Sequence, residues 1–419
     1  MNNKPELLMP AGNLETLKIA FIYGADAVYI GGEAYSLRAK ADNFSRQDML
    51  DALDFAHKLG GRVYITANIF AHNGDLNGVR EYFKELNEIR PDGVLVADPG
   101  VLALAFDLLD NIPIHLSTQA NTTNIESVRF WHRLGVSRIV LARELSLKEI
   151  EEISGEASDV PEIEVFVHGA MCISYSGRCL LSNYFTGRDA NRGACTHPCR
   201  WKYRIEEETR EGEYLPIEEN DRGTFLMNSR DLCMISHIDR LIDAGISSLK
   251  VEGRMKSILY VASVARAYRQ AIDDYLISPD NYLKRKDWYE SEVRACTNRT
   301  FTTGFFFGKP SDESMIYDES TYVTEYVFLG VVGVEKQIGN RCCYRMMQRN
   351  KCSVGETVEI MKPSGDNIAA TILQLYDEEG NMIDSVPHAK QIFHIDLGRK
   401  LDEFDILRRR KSDNNSIVG

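Results

Sequence analysis

The 419-residue sequence lacks the segments that would direct a chain into or across a membrane. Its first residues, MNNKPELLMPAG, carry no basic segment followed by an apolar run, so no secretory signal is expected there. No apolar run approaches the roughly 20 residues that a membrane-spanning helix needs. These absences favour a cytoplasmic protein with no membrane partner.

Common signatures of hydrolases and nucleotide-binding enzymes are missing as well. The sequence has no HExxH, no GxSxG and no P-loop pattern, and no GxGxxG turn follows the first predicted strand. The missing glycine-rich turn argues against a Rossmann domain. A serine or cysteine protease stays open, because the members of a catalytic triad need not be close in sequence.

An excess of positive charge is also lacking. The formal net charge is −13, which argues against a protein that coats nucleic acid nonspecifically. The charges are nevertheless segregated along the chain. Residues 172–204 contain six arginines or lysines and a single acid, and an acidic stretch follows immediately. This segregation leaves room for a local basic site.

Cysteine is scarce except in one region. Four of the nine cysteines, Cys172, Cys179, Cys195 and Cys199, follow a C-x6-C-x15-C-x3-C spacing among glycine and arginine, and Cys233 is a fifth candidate. A cytosolic chain keeps its thiols reduced, so such a group favours metal ligation over disulfides. Thiolates suit an iron–sulfur cluster or zinc, and the spacing matches neither ferredoxins nor zinc ribbons. Buried structural cysteines are the alternative.

Short β-branched runs alternate with amphipathic segments over the first two thirds of the chain. This alternation predicts a parallel sheet buried on both faces, and eight units fit a (β/α)8 TIM-like barrel better than an open doubly wound sheet. Ser45 is placed as a helix N-cap. The predicted strands are residues 6–10, 26–31, 62–69, 92–98, 114–120, 137–142, 162–169 and 247–253.

The pattern divides the chain into four parts. Residues 1–280 are predicted to form the barrel, with a cysteine-rich insertion at 170–235 between its last two strands. A helical or loop connector is expected at 281–319, and short strand-like runs predict a small C-terminal β-barrel at 320–412. Residues 413–419 are expected to be a flexible tail. The sequence carries no signal for an oligomeric state.

Polar side chains stand at the predicted carboxyl ends of the barrel strands, where barrel active sites form. A capping or structural role is the alternative for each, and most of all for His168. The segment KVEGRMKS at 250–257 is the richest, because its cations suit an anionic ligand, although it also reads as a solvated helix start. The candidates are Asn68, Gln119, Asn121, Arg143, His168, Lys250, Glu252 and Arg254.

The segment CRWKYR at 199–204 interleaves aromatic and basic residues. Aromatic rings stack on unpaired bases and cations pair with phosphates, so Arg200, Trp201 and Lys202 are candidate nucleic-acid contacts. The alternative is a hairpin strand that packs on the barrel. The two interpretations are compatible.

Three stretches resemble the collagenase-like peptidase family, U32. They are ELLMPAGNLETLKIAFIYGADAVYIGG near the start, EVFVHGAMCISYSGRCLLS at 164–182 and SLKVEGRMKS at 248–257. The resemblance covers essentially the whole chain. It implies an oxygen-independent hydroxylase with a 4Fe-4S cluster and prephenate, a small dicarboxylate, as hydroxyl donor. GRDANRGACTHPCRWKY looks most like the branch that converts tRNA wobble uridine to 5-hydroxyuridine. Alternatives are a ribosomal RNA or quinone-precursor hydroxylase and a collagenase-like peptidase.

The resemblance also assigns roles to residues. Cys172, Cys179 and Cys195 match cluster ligands of the family, and either Cys199 or Cys233 would be the fourth, with Cys199 preferred. A binding protein with structural zinc is a weaker alternative. The strand-end pattern leads us to expect catalytic roles for Asn68, Gln119 and Glu252. We expect substrate binding by Arg143, Lys250, Arg254, Arg200, Trp201 and Lys202.

Overall fold

A computed structural model describes the chain over most of its length. The described residues are 4–32, 43–155, 160–172, 174–175, 179–188, 190, 195–203, 219–220, 223–225, 230–308 and 324–411. The predicted tail at 413–419 therefore lies outside them. Among the described helices, none combines the length and apolar character needed to cross a membrane.

Eight parallel strands close into a barrel, as the sequence predicts. Each strand pairs in parallel with the next, and β8 closes the barrel by pairing with both β1 and β7. The strands are β1 (Glu6–Pro10), β2 (Ala27–Gly31), β3 (Arg62–Ala67), β4 (Gly93–Val96), β5 (Ile114–Leu116), β6 (Arg138–Val140), β7 (Glu162–Ala170) and β8 (Ser248–Val251).

Helices cover the outside of the barrel and bury its outward apolar face. The Ser45 side chain caps α2, as predicted, by accepting a hydrogen bond from the Asp48 backbone amide. The helices are α1 (Leu14–Ile22), α2 (Arg46–Lys58), α3 (Leu76–Ile89), α4 (Pro99–Leu108), α5 (Ile125–Arg133), α6 (Leu147–Gly155), α7 (Leu181–Thr186), α8 (Ile238–Asp243), α9 (Ile258–Ile277) and α10 (Pro279–Arg294).

The insertion between β7 and β8 has its own secondary structure. It contains α7, a 3-10 turn at Pro198–Arg200, and a strand, Asp231–Cys233, that pairs antiparallel with β7. The strand Phe301–Thr302, from the predicted connector, extends the barrel sheet further. Other short elements are the strands Lys202–Tyr203, Glu219–Asn220 and Gly223–Phe225 and the 3-10 turns Thr118–Ala120 and Ile235–His237.

The C-terminal domain is a curved antiparallel sheet around its own core. Its strand order is β12-β11-β15-β9-β10-β14-β13 followed by Met382–Ile383, which makes a half-barrel. The strands are β9 (Tyr326–Ile338), β10 (Arg341–Met347), β11 (Thr357–Met361), β12 (Ile368–Thr371), β13 (Gln374–Tyr376), β14 (Ile392–Asp396) and β15 (Ile406–Arg410), with a separate pair formed by Cys352–Ser353 and Ser385–Val386.

A buried ion-pair cluster joins the two domains. Arg408 of β15 pairs with Glu292 of α10 at 2.8 Å and with Glu359 of β11 at 2.6 Å. Arg266 of α9 donates to the Gly365 carbonyl oxygen at 2.6 Å. Met361 and Ile406 of the C-terminal domain belong to the core that the barrel helices form. The C-terminal domain is therefore packed rigidly against the barrel.

The interior of the barrel is charged. Arg138 bridges the carboxylates of Glu6 and Glu164, and Glu164 also accepts a hydrogen bond from Lys250 at 2.7 Å. All four side chains are almost fully buried. Burial alone would raise the pKa of Glu164, yet Lys250 and Arg138 hold that pKa below its usual value. The barrel therefore contains alternating charges that neutralise one another.

Replacing Arg138 with methionine should destabilise the fold strongly, because it leaves Glu6 and Glu164 buried without their shared cation. The expected loss in free energy of unfolding is about 3–5 kcal/mol. Arg62 is a matched control, since it pairs with the same Glu6 at 2.7 Å but is half exposed. Arg62→Met should cost about 0–1 kcal/mol. Denaturant unfolding would measure the stability of both variants. Equal losses in free energy of unfolding would contradict the role of Arg138 as the shared buried cation.

Candidate active site

A cavity of about 690 Å³ opens at the carboxyl-terminal end of the barrel. Its walls come from two sources, the residues that follow the barrel strands and the insertion between β7 and β8. Inward-facing aromatic rings, Tyr29 and Phe166, lie deeper in the same cavity. This is the end of a barrel at which active sites form.

All four clustered cysteines line this cavity. Cys172 follows β7, Cys179 precedes α7, and Cys199 lies in the 3-10 turn at Pro198–Arg200. Cys195 lies between them and accepts a hydrogen bond from the His197 backbone amide at 3.4 Å. All four cysteines are exposed or half-buried. The fold therefore collects on one wall the thiols that the sequence disperses over 28 positions, from 172 to 199.

Side-chain hydrogen bonds tie the two halves of the cysteine segment together. The Thr196 amide donates to the Ser182 hydroxyl of α7 at 3.0 Å, and the two hydroxyls lie 3.1 Å apart. Thr186 donates to the Ser182 carbonyl oxygen at 2.7 Å. These bonds connect the helix after Cys179 to the residue after Cys195.

The four thiols are donors of the kind that iron–sulfur clusters and zinc sites both use. Within the described ranges, no three His, Cys, Asp or Glu side chains converge closely enough to hold one metal ion. In a cluster each iron binds its own thiolate, so the ligands stand further apart than around zinc. The four thiols that line this cavity offer one ligand for each iron of such a cluster.

Cys233 and His168 lie behind the cavity and do not line it. Both are buried, and they face each other across the antiparallel pairing of Asp231–Cys233 with β7. Burial raises the pKa of the Cys233 thiol to about 12. Burial likewise lowers the pKa of His168 to about 3, and its Nδ1 lies 3.3 Å from the Tyr268 hydroxyl. This buried, hydrogen-bonded position agrees with the structural role that the sequence favoured for His168.

Six of the predicted strand-end residues share the cavity with the cysteines. They come from four different strands and meet only because the barrel closes. The two exceptions are His168, which is buried behind the cavity, and Asn121, which donates to the Gln119 carbonyl oxygen at 3.0 Å. The six are Asn68, Gln119, Arg143, Lys250, Glu252 and Arg254.

The cations of the cavity are held in different ways. Arg143 pairs with Glu252 at 3.2 Å, donates to the Ala170 carbonyl oxygen at 2.7 Å and covers the Phe166 ring at 3.9 Å. Lys250 is committed to Glu164, and burial lowers its pKa. Arg254 lies buried beside Thr66, with its Nη1 3.4 Å from the threonine hydroxyl. Arginine forks at such a site suit carboxylates.

Close backbone packing fixes Glu252 and its neighbours. Gly169 has φ of 109°, and a Cβ atom there would lie 2.6 Å from the Glu252 carbonyl oxygen. The Tyr260 hydroxyl donates to that same oxygen at 2.8 Å. The end of β8 is therefore clamped between β7 and α9, which holds Glu252 at the cavity.

Three buried amide atoms of the cavity lack hydrogen-bond partners. Gln119 is 2% exposed, and neither its Oε1 nor its Nε2 has a hydrogen-bond partner. Asn68 donates to the Ser117 hydroxyl at 3.3 Å, but its Oδ1 has no partner. An unsatisfied buried polar atom costs about 1–3 kcal/mol, so such atoms in a cavity indicate a place for a ligand.

Sequence reasoning missed several residues of the cavity. Arg299 lines it and forms a buried ion pair with Asp231 at 2.8 Å, and Tyr260 and Lys256 contribute as well. Arg299 follows α10 and does not end a barrel strand, so the strand-end pattern could not find it. The KVEGRMKS segment did contain a signal for Lys256.

Of the predicted nucleic-acid contacts, Trp201 does not line the cavity. Trp201 is 40% exposed, and its ring centroid lies 6.2 Å from that of Phe185 in α7, which in turn packs edge-on against exposed Tyr184. The side chains of Arg200 and Lys202 fall outside the described part of the chain. An exposed aromatic cluster thus lies next to the cysteine segment.

Comparison with known proteins identifies the family. Residues 12–316 match the model of peptidase family U32, and residues 324–408 match the model of its C-terminal domain. The chain is similar to tRNA hydroxylation protein P1 of Bacillus subtilis (strain 168), at 43% identity over 98% of this chain and 96% of that protein. It is also similar to tRNA hydroxylation protein P of Escherichia coli (strain K12), at 38% identity over 92% of each.

A more distant relative modifies a different RNA. The 23S rRNA 5-hydroxycytidine C2501 synthase of Escherichia coli (strain K12) is 36% identical over 65% of this chain and 40% of that protein. The family models together span both structural domains described above, and the resemblance that the motifs predicted is confirmed. The chain belongs to peptidase family U32.

Proposed function

We propose that the chain is a cytoplasmic tRNA hydroxylase that converts a wobble uridine to 5-hydroxyuridine without molecular oxygen. Relatives named for tRNA hydroxylation align over nearly the whole chain and support this assignment. The observation that carries it is the cavity that four cysteines and the polar ends of the barrel strands line together. That arrangement offers both a cluster site and a substrate site.

Cys172, Cys179, Cys195 and Cys199 would hold a 4Fe-4S cluster. A bound cluster would supply electron transfer at iron. The protein groups around it have separate tasks. The backbone amide of His197 donates toward Cys195 and would stabilise its thiolate form. The carboxylate of Glu252, held by Arg143, would accept or return the proton at the reacting carbon.

Prephenate, a small dicarboxylate, would be the hydroxyl donor, with Arg254 and Arg143 as its carboxylate ligands. Both guanidinium groups are on the cavity wall and largely buried, where charge-assisted hydrogen bonds are strong. The donor supplies the oxygen atom and is reduced by the two electrons that the uracil loses when C5–H becomes C5–OH. Lys250 is already paired with Glu164, so it would shape the bottom of the cavity rather than bind the donor.

The target base reaches a barrel cavity most easily from a loop in which it is already unpaired, as in the anticodon loop. Trp201 would provide a stacking face beside the cavity, with Arg200 and Lys202 on phosphates. The formal net charge of −13 restricts RNA binding to this local surface. The affinity for tRNA should therefore fall as salt concentration rises, with a slope that corresponds to only a few phosphate contacts.

The direct test of the function is nucleoside analysis of a strain that lacks this protein. We expect 5-hydroxyuridine derivatives to disappear from its tRNA and to return with the wild-type chain but not with Cys179→Ala. Mass spectrometry of digested tRNA measures this. Loss of a ribosomal RNA or quinone modification instead would correct the substrate. Collagen cleavage by the purified wild type and by Cys179→Ala alike would support the peptidase alternative and overturn the proposal.

Protein purified anaerobically should contain iron and sulfide, and Cys179→Ala should lose both, because a cluster lacking one thiolate is not retained. Cys342→Ala is the matched control, since Cys342 is an exposed thiol on β10 of the C-terminal domain. Metal and sulfide analysis measures both. Zinc alone at one equivalent would contradict the cluster. If Cys199→Ala keeps its iron and sulfide while Cys233→Ala loses both, the fourth ligand is Cys233 and not Cys199.

Arg254→Ala should weaken prephenate binding, because it removes a charge-assisted contact in a buried site. The expected cost is about 1.5–3 kcal/mol, or roughly tenfold or more in affinity. Titration calorimetry on the anaerobic protein measures it, with Arg345→Ala, an exposed arginine of β10, as control. Unchanged affinity in Arg254→Ala combined with a loss in Arg143→Ala would move the carboxylate site to Arg143.

A further inference from the structure

Gln119 is held in place by its backbone while its side chain is left without partners. It lies in the 3-10 turn Thr118–Ala120 that follows β5. The Thr118 hydroxyl donates to the Leu141 carbonyl oxygen at 3.0 Å, and the Ala120 amide donates to the Ser117 carbonyl oxygen at 3.0 Å. These bonds fix the turn, so the amide has a defined position on the cavity wall.

The unpaired amide requires a ligand that offers a donor and an acceptor side by side. Its Nε2 needs an acceptor and its Oε1 needs a donor. Carboxylates, thiolates and sulfide accept hydrogen bonds only, so none of them satisfies Oε1, and the single hydroxyl of the donor must face the reacting carbon rather than this amide. The lone acceptor Oδ1 of Asn68, in the same cavity, shows the same need for a donor.

The imide edge of uracil has the complementary pattern, since its N3–H donor stands between the acceptors O2 and O4. We propose, on the basis of the function proposed above, that Gln119 is the residue that recognises the target base. Its Oε1 accepts from N3–H and its Nε2 donates to the neighbouring carbonyl, O2. This pairing occupies the edge of the ring opposite C5 and leaves C5 open for hydroxylation.

A substrate lacking the N3–H tests the pairing. Anticodon stem-loop RNAs carrying uridine or N3-methyluridine at the target position would be compared with the anaerobic holoprotein, by affinity and by kcat/KM for hydroxylation. Methylation at N3 should reduce kcat/KM by about tenfold or more with the wild type, as expected for losing a bidentate base contact.

Gln119→Met, which keeps the volume but cannot pair, should show the same loss with uridine and should no longer distinguish uridine from N3-methyluridine. Its iron content, melting temperature and prephenate affinity should match the wild type, which separates a recognition defect from misfolding. Gln119→Glu has the same shape but should also lose activity, because its carboxylate repels the carbonyl oxygen at position 2 of the uracil.

If Gln119→Met keeps the wild-type kcat/KM and still discriminates against N3-methyluridine, Gln119 does not recognise the base. The proposed function would still stand in that case, provided that the wild type hydroxylates the uridine stem-loop. A wild type that neither binds nor hydroxylates the uridine stem-loop would refute both. The two failures are therefore distinguishable.

Discussion

The chain of buried charges through the barrel is the interaction on which the site depends. Glu6, Arg138, Glu164 and Lys250 alternate in sign from the amino-terminal end of the strands to the floor of the cavity. Buried charges are tolerated only when each meets a partner of opposite sign. The register of β1, β6, β7 and β8 must therefore be correct for the barrel to close, and that same register places Lys250, Glu252 and Arg254 at the cavity.

The cysteine segment depends on the barrel in a second way. It emerges from β7, where the strand Asp231–Cys233 returns antiparallel and places Asp231 next to Arg299. The barrel thus provides a rigid base, and the insertion adds the thiols as a cover over the polar strand ends. The thiols therefore line the same cavity as the amide, carboxylate and guanidinium groups of the strand ends.

The C-terminal half-barrel contributes rigidity. Its Arg408 meets Glu292 and Glu359 in a cluster that also involves Arg266 of α9, the helix that follows the carboxyl end of β8. The C-terminal domain therefore contacts α9 directly. Tyr260 of that helix donates a hydrogen bond to the Glu252 carbonyl oxygen. A mechanical connection thus runs from the second domain to the cavity.

Much of the fold was predictable because it depends on local pattern. The eight strands fall within a residue or a few of their predicted bounds, since alternating apolar runs and caps such as Ser45 act over short distances. Strand ends also indicated Asn68, Gln119, Arg143 and Glu252, because a closed barrel brings the ends of all its strands together.

The sequence by itself determined the barrel, the strand-end polar residues and the thiols, since each follows from periodicity or from residue chemistry. Tertiary structure alone decided that Lys250 is committed to Glu164, that Cys199 lines the cavity while Cys233 lies behind it, and that Arg299 belongs to the site. It also showed that the Gln119 amide is left unsatisfied. These outcomes depend on contacts between residues tens to hundreds of positions apart, and no local pattern encodes which distant partner a buried side chain will meet.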